Sequence, residues 1–212
     1  MELLAVVLSG LPTTLLLTAA AFGIGLVGGV PLALARRSSH RLPRLIARAL
    51  IEFLRGIPPI VWLFFVFFGV GNSVPGNDPI NAAIISLGII ACAYMAEIYR
   101  GGLSAIERGQ WEAGEALGMN HTSVLAKIIG PQVFRVSVPA AATYAIGLLK
   151  DSSVAYTIGV TEITYYANEQ SRATANAIIP FLVAALVYIA MTIPCAWAAR
   201  ALDSRLRERV AR

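Results

Sequence analysis

The chain has 212 residues, of which 57% are hydrophobic and only 14% charged, with a mean hydropathy of +0.70 and a formal net charge of +5. Soluble domains carry about 25% charged residues, so this composition excludes a water-soluble globule, a disordered chain and a nucleic-acid-binding domain. The two cysteines, Cys92 and Cys195, each sit inside an apolar run. They read as small buried hydrophobes, not as a disulfide framework. Before the first apolar run stands Glu2 and no basic segment, so a cleavable signal peptide is not expected.

A spanning helix needs about 20 mostly apolar residues. Leu11 to Ala35 (11–35) is the first such run; it ends at Arg36-Arg37, and Gly23, Gly25, Gly28 and Gly29 offer it a face for close packing. The second, Ile46 to Val70 (46–70), carries Trp62, Phe64, Phe65, Phe67 and Phe68 in one half and a kink signal at Pro58-Pro59. A turn over Asn72 to Pro79 follows. The third helix covers Ile80 to Tyr99 (80–99), the fourth Pro131 to Leu149 (131–149), and the last Ala177 to Ala199 (177–199). The expectation is an all-α integral membrane protein with five transmembrane helices in a single domain over 1–212. Two connections are longer than turns. Residues 100–130 are patterned for short helices. Residues 151–176 are too polar to cross yet carry Val154, Ile158, Val160 and Ile163, which reads as a re-entrant or interfacial segment. No internal repeat is visible.

The basic residues set an orientation. Arg36, Arg37, Arg41, Arg44, Arg48 and Arg55 lie after or near the first helix's end and at the start of the second. Arg100, Arg108, Lys127 and Arg135 surround the 100–130 connection, and Arg200, Arg205, Arg207, Arg209 and Arg212 form the tail. These make 15 of the 17 basic residues, leaving Lys150 and Arg172 opposite. By the positive-inside rule the N-terminus is outside and the C-terminus cytoplasmic, which requires an odd number of crossings.

Within the 100–130 connection, Gln110 to Leu117 is a good helix former with Glu112 in its first turn, and Gly118 is a natural stop. Such a helix either fits a groove on a soluble partner or lies on the membrane surface. The residues alone leave both open. Ionisable groups at membrane depth are functional candidates. Glu52 and Arg55, three apart, are placed to pair on one face. Glu97 stands three residues before Arg100, either paired within its helix or lining a path where it meets a cationic amino group. Lys150-Asp151 ends the fourth helix, and Glu162 lies in the polar segment that follows. His40 and His121 are far apart in cytoplasmic loops and make no metal site. No catalytic residue is proposed.

The stretch Glu107 to Gly118 resembles the "EAA" loop of permease subunits of bacterial ATP-binding-cassette (ABC) importers, with Glu112, Ala113, Glu115 and Gly118 at the family's spacing and Gly114 where the family has Ala. More narrowly, the chain is similar to the polar amino acid permeases (histidine, glutamine, arginine and opine type). The matching segments are Ile51 to Pro58, Tyr94 to Gly102, Gly109 to Ala113, Leu148 to Ser153 and Ile158 to Glu162, in the family's order. The resemblance implies a type I importer fold in a bacterial cytoplasmic (inner) membrane. It implies a pair of permease subunits, identical or homologous, two cytoplasmic ATPase subunits on which the EAA helix docks, and an extracytoplasmic solute-binding protein. It further implies that Lys150 and Asp151 belong to an outer gate, and that Thr143 replaces an amide facing the path. Lys127 and Lys150 are the only lysines and neither follows a glycine, so the chain has no phosphate loop. It is expected to carry no cofactor of its own, ATP being bound by the partner ATPase. A stand-alone carrier or channel driven by ion gradients is the alternative.

Overall fold

The computed structural model describes residues 2–70 and 78–208, so most of the Asn72–Pro79 turn, with Arg209 and Arg212, lies outside the described residues. Every described element is helical: α1 (Glu2–Leu8), α2 (Leu11–Arg36), α3 (Arg41–Gly56), α4 (Pro59–Phe64), α5 (Pro79–Ser104), α6 (Arg108–Ala116), α7 (His121–Val124), α8 (Gly130–Asp151), α9 (Ile163–Thr174) and α10 (Ile178–Glu208). A π-helical stretch, Phe65–Val70, continues α4, and another, Leu125–Ile129, joins α7 to α8; a 3-10 helix, Ser152–Ile158, follows α8. Four helical stretches are long and apolar enough to cross a membrane: Glu2–Arg36, Pro79–Ser104, His121–Ile158 and Ile178–Ser204.

The second expected helix is broken. Where a single helix over 46–70 was expected, α3 and the α4 segment meet at 99°. The cause is local. Ile57, forced out of the helical region by the following proline, adopts ψ 132°, and Pro58 is extended at ψ 142°. The Trp62 indole N–H then donates to the Leu54 carbonyl at 3.2 Å, satisfying one of the acceptors left at the end of α3.

α5 is the central helix: 56% of its apolar stretch is buried, against 22% for Glu2–Arg36 and 17% for Ile178–Ser204. It packs most closely on α2, and glycines explain why. A Cβ on Gly25 would stand 2.6 Å from the Ala91 Cβ, and one on Gly29 2.7 Å from the Met95 Cβ, while one on Gly28 would collide with the Cys92 sulfur. Gly23 faces open space. Contrary to the expectation from their apolar neighbours, neither cysteine is fully buried: Cys92 is half-buried, and Cys195 is exposed because α10 shows one flank to the outside.

Leu148 near the end of α8 packs with Ala21 and with Leu87 and Ala91. Those residues lie about 12–18 Å into α2 and α5 at 1.5 Å per residue. Lys150 and Asp151 therefore stand partway down the bundle and not at its outer rim. The 3-10 helix climbs back, and Ala155 and Ile158 reach the cluster of Leu17, Leu63, Ala82 and Ala83 near the start of α5.

Candidate functional site

α6 begins at Arg108 and ends at a Schellman stop. Gly118 has φ +74°, its N–H donates to the Glu115 carbonyl at 2.9 Å, and the Met119 N–H donates to the Gly114 carbonyl at 3.2 Å. Only glycine adopts that φ without strain. The Asn120 side chain accepts from the Ser123 N–H at 2.8 Å and starts α7. Gly114 is the buried residue of α6; a Cβ there would come within 2.7 Å of a Val124 methyl. The departure from the family's alanine is thus a packing requirement of this chain. Glu112, Ala113, Glu115 and Ala116 are exposed, and Leu117 shows 80% of its surface.

The back of α6 is braced. Trp111 and Met119 pack on a core of Leu103, Val124, Ile129 and Val133. The Trp111 ring stacks on His121 at 5.0 Å and lies under the Arg37 guanidinium at 5.5 Å. Arg37 also donates to the Leu103 carbonyl at 3.5 Å, and Gln132 donates to Gln110 at 3.1 Å. One turn away, Glu97 receives two hydrogen bonds from Arg100, at 2.8 and 3.0 Å, and faces Arg36 at 3.7 Å. The intrahelical Glu97–Arg100 pair is therefore formed, and it ties in the end of α2 as well. Arg100 takes one carboxylate oxygen of Glu97, while the other, 3.7 Å from the Arg36 Nε, is buried and accepts no hydrogen bond.

The expected Glu52–Arg55 pair gives way to other partners. Glu52 accepts from Arg48 at 2.9 Å, one turn back in α3. The Arg55 guanidinium lies over the Tyr94 ring at 4.8 Å, and Tyr94 stacks on Tyr144 at 4.9 Å. Sequence reasoning missed this Arg55–Tyr94–Tyr144 ladder. Its signal was positional: Tyr94 is three residues before Glu97 and Tyr144 follows Thr143.

The remaining path candidates do not form one site. Thr143 and Lys150 line a groove of about 530 Å³ between α8 and α10, with Arg200 and Asp203 on its other wall. The Thr143 hydroxyl donates to the Pro139 carbonyl at 3.1 Å. Asp151 is exposed at the end of α8. Glu162 is wholly buried elsewhere. It caps α9: one oxygen accepts from the Tyr165 N–H at 2.8 Å, the other from the Tyr188 hydroxyl at 2.8 Å. Thr14 of α2 accepts from the Ile163 N–H at 3.3 Å, and a Cβ on Gly10 would overlap the Glu162–Ile163 backbone. Burial raises the Glu162 carboxyl above its ordinary range, against the lowering pull of these hydrogen bonds. Glu162 is a structural joint between α2, α9 and α10, not a wall of a path.

Among proteins of known sequence, the chain is 33% identical over 189 residues to the probable amino-acid permease protein YxeN of Bacillus subtilis, covering 88% of this chain and 84% of that one. It is 31% identical over 202 residues to the arginine transport system permease protein ArtQ of the same organism, covering 95% and 92%. Among solved structures, the crystal structure of an amino acid ABC transporter with histidines matches at a TM-score of 0.87 and 32% identity, over 95% of this chain and 94% of that one. The family of binding-protein-dependent transport system inner membrane components matches residues 25–208. These matches place the chain in that family: it is an inner membrane component of a binding-protein-dependent transport system.

Proposed function

We propose that the chain is the transmembrane permease subunit of an ATP-driven importer of polar amino acids or related compounds, with five crossings, the N-terminus outside and the C-terminus cytoplasmic. It forms the translocation path with a second permease, identical or homologous, and receives solute from an extracytoplasmic binding protein. Cytoplasmic ATPase subunits bind and hydrolyse the ATP. The observation that carries this reading is α6: a short helix with an exposed Glu112–Leu117 face, a fixed glycine stop and a back braced on the ends of α2 and α5. The α4 segment, which turns off α3 by 99° at Pro58, supplies the remaining crossing beside the four long apolar helical stretches. The amino-acid class of the solute is supported by the names of the relatives.

Co-expression with an ATPase subunit and a binding protein tests the proposal. The expected outcome is stable co-purification, with ATP hydrolysis raised by the loaded binding protein. Glu112→Lys is expected to cut coupled uptake at least about tenfold, the loss of one buried charge-assisted contact, while the permease still inserts and purifies. Solute flux through this chain alone in liposomes would instead establish the ion-gradient carrier.

A further inference from the structure

α3 is built unlike any other helix of the chain. Ala47, Ile51 and Leu54 attach it to the body, at 3%, 1% and 6% exposure, against Ala33, Ala93 and Ala96. Two further faces remain outside. Leu42, Ile46, Leu50 and Phe53 form one and are all exposed. Arg41, Arg44 and Arg48 form the other, also exposed. At 3.6 residues per turn the centres of these faces are about 150° apart, with the attached face between them. Arg48 is held by Glu52 and Arg55 by Tyr94. Arg41 and Arg44 make no ion pair among the described residues.

The 99° bend at Pro58 fixes what these faces meet. If α4 follows the bundle axis, α3 runs nearly at right angles to it, at the end of the bundle where Arg36, Arg37 and Arg100 gather. A helix in that plane, apolar on one side and basic on the opposite side, matches the chemistry of an acyl–headgroup boundary. We propose that α3 is a membrane-surface helix, with Leu42, Ile46, Leu50 and Phe53 in the acyl region of the cytoplasmic leaflet and Arg41 and Arg44 on the headgroups of anionic phospholipids. Two charges then anchor the hinge from which α4 rises. The inference rests on the orientation given under the proposed function.

The test uses the full chain in lipid nanodiscs, with Cys92 and Cys195 replaced by alanine and single spin-labelled cysteines at positions 42, 44, 46, 48 and 53. Labels at 42, 46 and 53 are expected to collide preferentially with oxygen, and those at 44 and 48 with a water-soluble nickel chelate. Equal water access at 46 and 44 would overturn the proposal. So would a short 46-to-46 distance between two copies, which would give the apolar face to a second permease. Ser204→Cys, reacted with an impermeant thiol reagent from each side, reads the orientation of α10 independently, so a wrong topology is separable from a wrong depth.

The headgroup contact has its own readout. Phosphatidylglycerol retained on the purified chain, counted by native mass spectrometry, is expected to fall about fivefold in affinity for each of Arg41→Gln and Arg44→Gln. Arg41→Lys with Arg44→Lys is expected to restore it, since the anionic surface attracts point charges. Unchanged retention in the double glutamine variant would overturn the anionic-lipid contact.

Discussion

Two buried or half-buried carboxylates hold the two ends of α2, and they are satisfied in opposite ways. At one end Glu97 is surrounded by charge: Arg100 on its own helix at 2.8 Å and Arg36 at 3.7 Å. At the other, Glu162 is held by neutral donors, the Tyr188 hydroxyl and the Tyr165 N–H, with Gly10 pressed on its backbone. Long, flexible arginines let the ends of α2 and α5 move a little without losing their attraction. Backbone contacts and short hydrogen bonds do not stretch in that way. The charged joint is therefore the compliant one and the neutral joint the rigid one.

Three substitutions break or sharpen this contrast. Gly10→Val forces side-chain atoms into the Glu162–Ile163 backbone, with no flexible side chain to give way. An overpacked rigid joint of this kind is expected to lose at least about 3 kcal/mol, read as a large fall in the thermal midpoint of the purified chain. Wild-type stability would show that the neutral joint also yields. Glu97→Ala leaves Arg36 and Arg100 facing each other without their carboxylate. A buried pair broken on one side costs about 3–5 kcal/mol, and because the Glu97 side chain is 19% exposed the expected loss is about 2 kcal/mol. Recovery by adding salt would mark the compliant, charged joint, whereas salt is not expected to rescue Gly10→Val.

The smallest effect is the pH dependence of Glu162. Its folded carboxyl titrates above its unfolded value, so between the two the native state binds more protons than the unfolded one. Stability from this group then falls as pH rises through that window and is regained on acidification. Glu162→Gln lacks the titration. Relative to that variant, the wild type is expected to gain stability on acidification, measured by thermal unfolding at each pH. A relative loss on acidification would mean that the hydrogen bonds outweigh burial.

The α6 segment was legible because its information is local. A helix former and a stop glycine lie within a dozen residues, and the structure reproduces the stop at Gly118 to the residue. The start was not: α6 begins at Arg108, so Glu112 falls beyond the first turn in which it was expected. The glycines of α2 were legible for a similar reason, since a small-residue face has one common use in a helix pair. The segment 46–70 was legible in part: Pro58-Pro59 marks the break, but an apolar count carries nothing of its 99° angle. Glu162 was out of reach: Gly10, Thr14, Glu162 and Tyr188 meet only after the chain has crossed the bundle several times. In the same way the Tyr94–Tyr144 stack needs α5 and α8 already packed. Several hydroxyl groups inside the helices bond one turn back along their own helix, as those of Thr18 and Ser86 do. The Thr14 and Thr164 hydroxyls also reach other segments.

The seat of Trp111 has a mechanical consequence. Its ring touches Arg37, and Arg37 reaches the Leu103 carbonyl near the end of α5. In the proposed coupling role, α6 is a short crank with one bearing shared by two shafts, so a load applied at its Leu117 tip would reach α2 and α5 together.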